Sequence, residues 1–319
     1  NGNLSRFGRF TTGANGTGAG LGSQGALAFD ARMQRFFAVN TGSNSISMLA
    51  LGVDGKLTAL DDIDSGGTNP VSITVNGKYV YVVNRGNPTA NVAGNITGFE
   101  VQGDALVAIA GSTRALSGAG DVRATDIAFT PDGKFLVVAE RLANKLDTFA
   151  VTNGVAQAGN FQASAGNQPF AFDFSPEGYL VVAEVGDGSA TGSSASSYSI
   201  SNTGVLTAVT PALPTLQGAA CWLTMAGGYA YIANAATANI TGITVAENGT
   251  LALRDAGGVT ATTGAGSIDL AVSPDRGYLY ALVGSTHQVF IFSIRADGSL
   301  AALPPLSNLP NAASGIVVR

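Results

Sequence analysis

The chain has 319 residues, a formal net charge of −5 and an acidic pI of about 4.8, with 45% hydrophobic but only 12% charged residues. An acidic chain without a basic stripe argues against a nucleic-acid partner, and none is expected. No run approaches the roughly 18 apolar residues a membrane helix needs, so no membrane span is expected, and the lone Cys221 leaves no internal disulfide.

The chain opens on Asn1-Gly2-Asn3-Leu4, which lines up with three later phrases, Asp54-Gly-Lys-Leu57, Asn248-Gly-Thr-Leu251 and Asp297-Gly-Ser-Leu300. Each has the form of a tight turn entering a strand. The glycine-rich run Thr12-Gly-Ala-Asn-Gly-Thr-Gly-Ala-Gly-Leu-Gly22 comes next. It does not lie between a buried strand and a helix, so it is no phosphate-binding loop and reads as a flexible connection between strands.

From there one phrase repeats. Its clearest copy is Asp126-Ile-Ala-Phe-Thr-Pro-Asp-Gly-Lys-Phe-Leu-Val-Val-Ala-Glu140. An apolar strand enters a Pro-Asp-Gly turn, where Pro131 presets φ and Gly133 accepts the left-handed corner. A second apolar strand then ends on a polar residue. The returning strands end at Asn40, Asn84, Glu140, Glu184, Asn234 and Val283, spaced 44 to 56 positions apart. After each comes a polar loop, a third strand such as Ser45-Ile-Ser-Met-Leu49 or Val289-Phe-Ile-Phe-Ser293, and a weaker fourth strand. An Asx-Gly turn joins third to fourth at Asp54, Asn153, Asn248 and Asp297.

Four antiparallel strands in about 40–50 residues mark a β-propeller blade. The expected fold is therefore all-β, a β-propeller of the seven-bladed type forming one domain over residues 1–319. Six complete four-stranded blades are placed at about 22–66, 67–117, 118–166, 167–215, 216–262 and 263–310. Ser314-Gly-Ile-Val-Val-Arg319 reads as an innermost strand, so residues 1–12 and 311–319 are expected to share a seventh blade. It would lack its two middle strands, as a reduced blade or as what remains of a longer precursor. Five Asn-x-Ser/Thr sequons, at Asn3, Asn15, Asn95, Asn239 and Asn248, together with few lysines favour an exported mature chain, extracellular or periplasmic.

In such a fold, loops after the second strand and before the first emerge on one face, a funnel suited to a small-molecule ligand. One loop set supplies Asn40, Asn84, Arg85, Glu140, Arg141, Glu184, Asn234 and His287; the other supplies Arg123, Asp126, Gln168 and Trp222. Carboxylates from neighbouring blades can share acid and base roles, which makes Glu140, Asp126 and Glu184 the catalytic candidates. Alternatively, Asn and Glu at strand ends satisfy exposed backbone groups there. Arg85, Arg123 and Arg141 can clamp a carboxylate, and the remaining residues are candidates for substrate contact. Trp222 serves equally for stacking on a ligand or for packing between blades. No cofactor is called for, and no metal: His287 is the only histidine and no loop is rich in Asp or Glu.

The chain resembles the seven-bladed lactonase-like propellers, the family of bacterial 6-phosphogluconolactonase and fungal carboxymuconate cyclase. The resemblance lies in Phe129-Thr-Pro-Asp-Gly-Lys-Phe-Leu-Val-Val-Ala-Glu140, Phe174-Ser-Pro-Glu-Gly178, Val272-Ser-Pro-Asp275, Gly20-Leu-Gly-Ser-Gln-Gly-Ala-Leu27, Asn69-Pro-Val-Ser-Ile73 and the Asx-Gly hairpins. It implies lactone hydrolysis or cyclisation of a small carboxylated substrate, derived from a sugar acid or an aromatic compound. Glu140 matches the family's strand-end glutamate. The family's Arg-His pair before the preceding strand is Thr125-Asp126 here, with Arg123 two residues upstream. A second resemblance, to the YVTN propeller repeats of surface and secreted binding proteins, rests on Phe37-Ala-Val-Asn-Thr-Gly-Ser-Asn-Ser-Ile46 and Tyr231-Ile-Ala-Asn-Ala-Ala-Thr-Ala-Asn-Ile240. It implies a binding scaffold without turnover.

Overall fold

Each second strand is a short run of Val, Ile, Leu, Ala and Tyr. In blade 3, Phe135–Glu140 is buried along its whole length. Such a run suits a central strand covered on both faces. The computed structural model describes residues 2–319; Asn1, at the head of the first turn phrase, lies outside the described residues. It contains six antiparallel sheets, each in the strand order first, second, third, fourth. The architecture is an all-β propeller of six blades.

The described residues fall into two units. Arg6–Gln162 holds blades 1 to 3. Blade 1 comprises Leu27–Asp30, Arg35–Asn40, Ser45–Leu51 and Leu57–Asp64. Blade 2 comprises Pro70–Asn76, Tyr79–Asn84, Asn95–Gln102 and Ala105–Ala108, with Arg114–Ala115 paired on its third strand. Blade 3 comprises Ala124–Phe129, Phe135–Glu140, Lys145–Thr152 and Val155–Ala163.

The second unit is Ala163–Arg319 with the N-terminal residues up to Ser5, and it holds blades 4 to 6. Blade 4 comprises Pro169–Phe174, Leu180–Glu184, Ser194–Ile200 and Leu206–Pro214. Blade 5 comprises Ala220–Ala226, Tyr229–Asn234, Asn239–Val245 and Leu251–Leu253, with Ala261–Thr262 beside the third strand. Blade 6 comprises Ser267–Val272, Tyr278–Val283, Gln288–Ile294 and Leu300–Leu306.

Three devices recur and fix the loops on one edge of the blades. First, a left-handed residue comes directly before the first strand in blades 2 to 6 and two residues before it in blade 1: Gly25, Asn69, Arg123, Gln168, Ala219 and Gly266 have φ between 51° and 73°. Second, in blades 2 to 6 its carbonyl accepts the N–H of the residue just after the second strand. Arg85 bonds so to Asn69, Arg141 to Arg123, Val185 to Gln168, Ala235 to Ala219 and Gly284 to Gly266, at 2.9 to 3.2 Å. Third, a β-bulge follows in these five blades, re-aiming Ser72, Asp126, Ala171, Trp222 and Asp269.

On the opposite edge an aromatic side chain of one blade covers the Asx-Gly turn of the next. Tyr81 donates its hydroxyl to the Gly154 carbonyl at 2.7 Å, and Tyr231 to that of Gly298 at 2.8 Å. A side chain at Gly154 would overlap the ring of Tyr79, so this turn needs glycine for space as well as for its φ of 80°.

The expected seventh blade is absent, which corrects the seven-bladed reading. Residues 2–12 and 307–319 contain no strand. The register that suggested the blade is nevertheless real within the second unit. Tyr280 donates to the Gly2 carbonyl at 3.3 Å, as Tyr231 does to Gly298. At the other end, Ile316 and Val318 pack on Tyr280, Leu282 and Ile291. The two segments thus take up positions of an outer turn and an inner strand, but without middle strands neither has a ladder to join.

Candidate functional site

The strand-end polar residues are built into the blades. Asn40 is 3% exposed and donates to Ser45 and Ser47 at 3.2 and 2.7 Å. Asn84, fully buried, donates to the Ser65 carbonyl at 3.0 Å and to Asn95 at 2.9 Å. Asn234, also fully buried, donates to Asn239 and Thr241 at 2.7 and 2.8 Å. Glu184 accepts from Ser194, Ser196, Ser164 and the Gly166 N–H at 2.5 to 3.2 Å, while burial pushes its carboxyl above the usual range. Each ties its strand to the polar start of the third strand or to the loop entering its own blade.

Glu140 has the same place in blade 3. Its Oε1 accepts the Ser117 N–H at 2.8 Å and its Oε2 the Ser117 hydroxyl, and it is fully buried. Facing it is Asp147, likewise fully buried, where other blades have Ser47, Ser196 or Thr241. Burial, then the adjacent Glu140 charge, hold the Asp147 carboxyl far above the ordinary aspartate range. Two buried carboxylates this close resist ionising together, and neither Asp147 carboxyl oxygen has a hydrogen-bond partner among the described residues. Asp147 was not among the residues expected from sequence. The signal was available: third strands open on a polar-x-polar pattern, Ser45-Ile-Ser47, Asn95-Ile-Thr97, Lys145-Leu-Asp147, Ser194-Ala-Ser196 and Asn239-Ile-Thr241.

The arginines are arranged differently. Arg85 and Arg141 occupy the same position in blades 2 and 3, and Arg123 is the left-handed residue opening blade 3. Arg85 is half-buried and donates to three carbonyls: Nε to Ala124 at 3.1 Å, Nη1 to Leu21 at 3.1 Å and Nη2 to Gly22 at 2.9 Å. Its guanidinium is lowered to about 10, mainly by burial and further by the like charges of Arg123 and Arg141, with Asp121 opposing. Among the described residues no carboxylate forms an ion pair with Arg85. Arg85 is also the only charged residue lining a cavity of about 310 Å³ formed by Thr17, Ala19, Gly20, Leu21, Thr41, Asn69 and Val71.

Asp126 stands on the bulge two residues beyond Ala124, 3% exposed. Its carboxylate accepts from Ser72 Oγ at 3.2 Å and from Gln24 Nε2 at 3.3 Å. The blade 2–3 edge therefore collects Arg85, Arg123, Arg141 and Asp126. Leu21 and Gly22 of the glycine-rich run reach this group through Arg85, and Gln24 just beyond the run reaches it through Asp126.

In the other unit the remaining candidates have separate surroundings. Trp222 is buried and packs edge-on against Phe170 with centroids 5.1 Å apart. Gln168 is the left-handed residue opening blade 4. His287 is left-handed too, with φ of 54°, and its carbonyl accepts the Leu309 N–H at 2.8 Å. Among the described residues, no group of three or more His, Cys, Asp and Glu side chains could hold a metal ion. Likewise, no helix there is long and apolar enough to cross a membrane.

Fold and site define a six-bladed β-propeller with arginines gathered at its inner loop ends. Comparison with known proteins takes this a step further. Residues 96–215 match the family described as Lactonase, 7-bladed beta-propeller. No curated protein matches the chain. Among solved structures, the chain is similar to a putative 6-phosphogluconolactonase from Bacteroides uniformis, with TM-score 0.74, 19% identity and 90% and 86% of the two chains covered. A putative 6-phosphogluconolactonase from Bacteroides fragilis matches with TM-score 0.72, 19% identity and coverage of 90% and 85%. A periplasmic gluconolactonase from Pseudomonas aeruginosa matches with TM-score 0.73, 16% identity and coverage of 89% and 85%. The chain thus shares the propeller fold of these structures, and its residues 96–215 are similar to the lactonase propeller family.

Proposed function

We propose that the protein opens or closes the ring of a small carboxylated lactone at the loop edge of blades 2 and 3, in the periplasm or outside the cell. The observation that carries this reading is the convergence of Arg123 and Arg141 on Arg85, a half-buried cation with no carboxylate in ion-pairing reach. Planar, forked donors gathered this way suit a substrate carboxylate and the oxyanion that develops at a lactone carbonyl. The lactonase family match and the gluconolactonase neighbour support the class of chemistry and of compartment.

In the hydrolytic direction, Asp126 takes a proton from water as the water oxygen bonds to the lactone carbonyl carbon. When the C–O bond of the ring breaks, the leaving oxygen recovers that proton, so the carboxylate is regenerated. Arg123, exposed beside Asp121, contacts the substrate carboxylate, and Arg141 supports the oxyanion. Asn40 and Asn84 brace the strand ends of blades 1 and 2 beside this edge. Glu140 and Glu184 act as positioning residues: they fix Ser117 and Gly166, the loops entering blades 3 and 4.

The test is a pH-stat screen of sugar-derived and aromatic-derived lactones bearing a carboxylate. Asp126→Asn should lower kcat by about 10²-fold or more, and Arg123→Ala should raise KM about tenfold with little effect on kcat. Turnover that survives Asp126→Asn removes the base from this scheme. Binding of these lactones with no turnover by the wild type would replace it with a non-catalytic binding propeller.

A further inference from the structure

We infer that residues 16–24 are a lid over the arginine site, latched by Arg85 and released when a carboxylate enters the 310 Å³ cavity. This rests on the lactone reading for the nature of the ligand.

The lid is fixed at its ends. The Asn15 N–H donates to Ser43 Oγ at 2.9 Å, Ser23 Oγ to the Val71 carbonyl at 2.8 Å, and the Gln24 N–H to the Thr125 carbonyl at 2.9 Å. Between Thr17 and Gly22, hydrogen bonds to the blades among the described residues come from Arg85 alone, to Leu21 and Gly22. Residues 15–20 are exposed, and side chains added at Gly16, Gly18, Gly20 or Gly22 would meet nothing. Little packing opposes release, and a glycine-rich segment regains much backbone entropy when freed.

The same segment covers both groups the reaction needs. Leu21 and Gly22 occupy the guanidinium of Arg85, and two residues further on Gln24 caps the Asp126 carboxylate. Thr17, Ala19, Gly20 and Leu21 roof the cavity whose one charge is Arg85. A carboxylate adds the opposite charge and two parallel acceptors that a single neutral carbonyl lacks, so it binds the guanidinium fork more strongly. A carboxylate arriving in the cavity therefore competes for Nη1 and Nη2 and frees Leu21 and Gly22, while Ser23 and Gln24 stay anchored.

A nitroxide on Ala19→Cys reads this directly, since residue 19 is exposed and the native Cys221 is buried. In the full chain the label should show the slower motion of a latched segment, and sodium gluconate should shift most of the spectrum to faster motion. Arg85→Ala should give the faster spectrum with or without gluconate. Arg85→Lys keeps the charge but not the fork, and should do the same with the fold intact by circular dichroism. A slow label in a folded Arg85 variant overturns the lid, as does a wild-type spectrum that neither gluconate nor inorganic phosphate alters. Release by gluconate without turnover of any lactone would sink the proposed reaction and leave the lid; turnover with an unaltered label would do the reverse.

Discussion

The backbone N–H of Ile316 donates to Asp269 Oδ2 at 3.0 Å. In blades 2 and 3 the N–H of Ile127 donates to Ser72 Oγ at 3.2 Å, and Ser72 has the bulge position that Asp269 has in blade 6. The C-terminal tail is thus held as an inner strand would be, by a carboxylate that burial raises to about 7. Between pH 3.8, the ordinary aspartate value, and pH 7 the folded chain keeps a proton that the unfolded chain has released. Rising pH therefore costs stability across that window, up to about 4 kcal/mol, and no more above it. Asp269→Asn should flatten this component in denaturant titrations run from pH 4 to 8. It should also expose the Ile316 amide to faster hydrogen exchange, because an amide cannot accept from both Leu270 and Ile316.

Asp147 gives a pH prediction of the same sign over a window reaching higher. Its folded-state carboxyl is raised by burial and by Glu140, so folding is favoured at low pH and the contribution fades as pH rises. Asp147→Asn keeps a neutral side chain facing Glu140. Stability at pH 8 should be unchanged or higher, with a shallower fall from pH 5 to 9 than in the wild type. A variant markedly less stable at pH 8 would show that Asp147 is ionised in the fold.

Glu140→Gln should lose a charged acceptor for Ser117 and turn an amide group towards a donor, at a cost of about 2 kcal/mol. Urea unfolding measures it. Ser117→Ala alone should cost less, since the Ser117 N–H still reaches Oε1.

Gly166 lies against the Glu184 carboxylate so closely that Gly166→Ala would force a collision between buried groups. A loss of about 1–3 kcal/mol is expected by thermal or urea unfolding, whereas Gly13→Ala, with nothing near it, should cost far less despite its positive φ.

The turns were legible because Pro-Asp-Gly and Asx-Gly punctuate apolar runs, and Gly133 and Gly154 are both left-handed corners. The blade count was not, because Asn1-Gly2-Asn3-Leu4 carries the local chemistry of a turn whether or not strands exist to flank it. Pairing is a non-local property, and the chain supplies no middle strands there. At the site, position at a strand end was readable for Glu140 and Glu184, but not their burial, which depends on Ser117, Asp147, Ser194 and Ser196 brought in from other segments. The role of Arg85 was half visible: its loop was evident, while its hold on Leu21 and Gly22 joins residues more than sixty positions apart.

The most direct test of the account is the rate of lactone ring opening by the full chain, followed by pH-stat on carboxylated sugar lactones, for the wild type, Arg123→Ala and Asp126→Asn. The account predicts turnover by the wild type, a weakened KM in the arginine variant and near-complete loss in the aspartate variant. Equal turnover in all three proteins would contradict it.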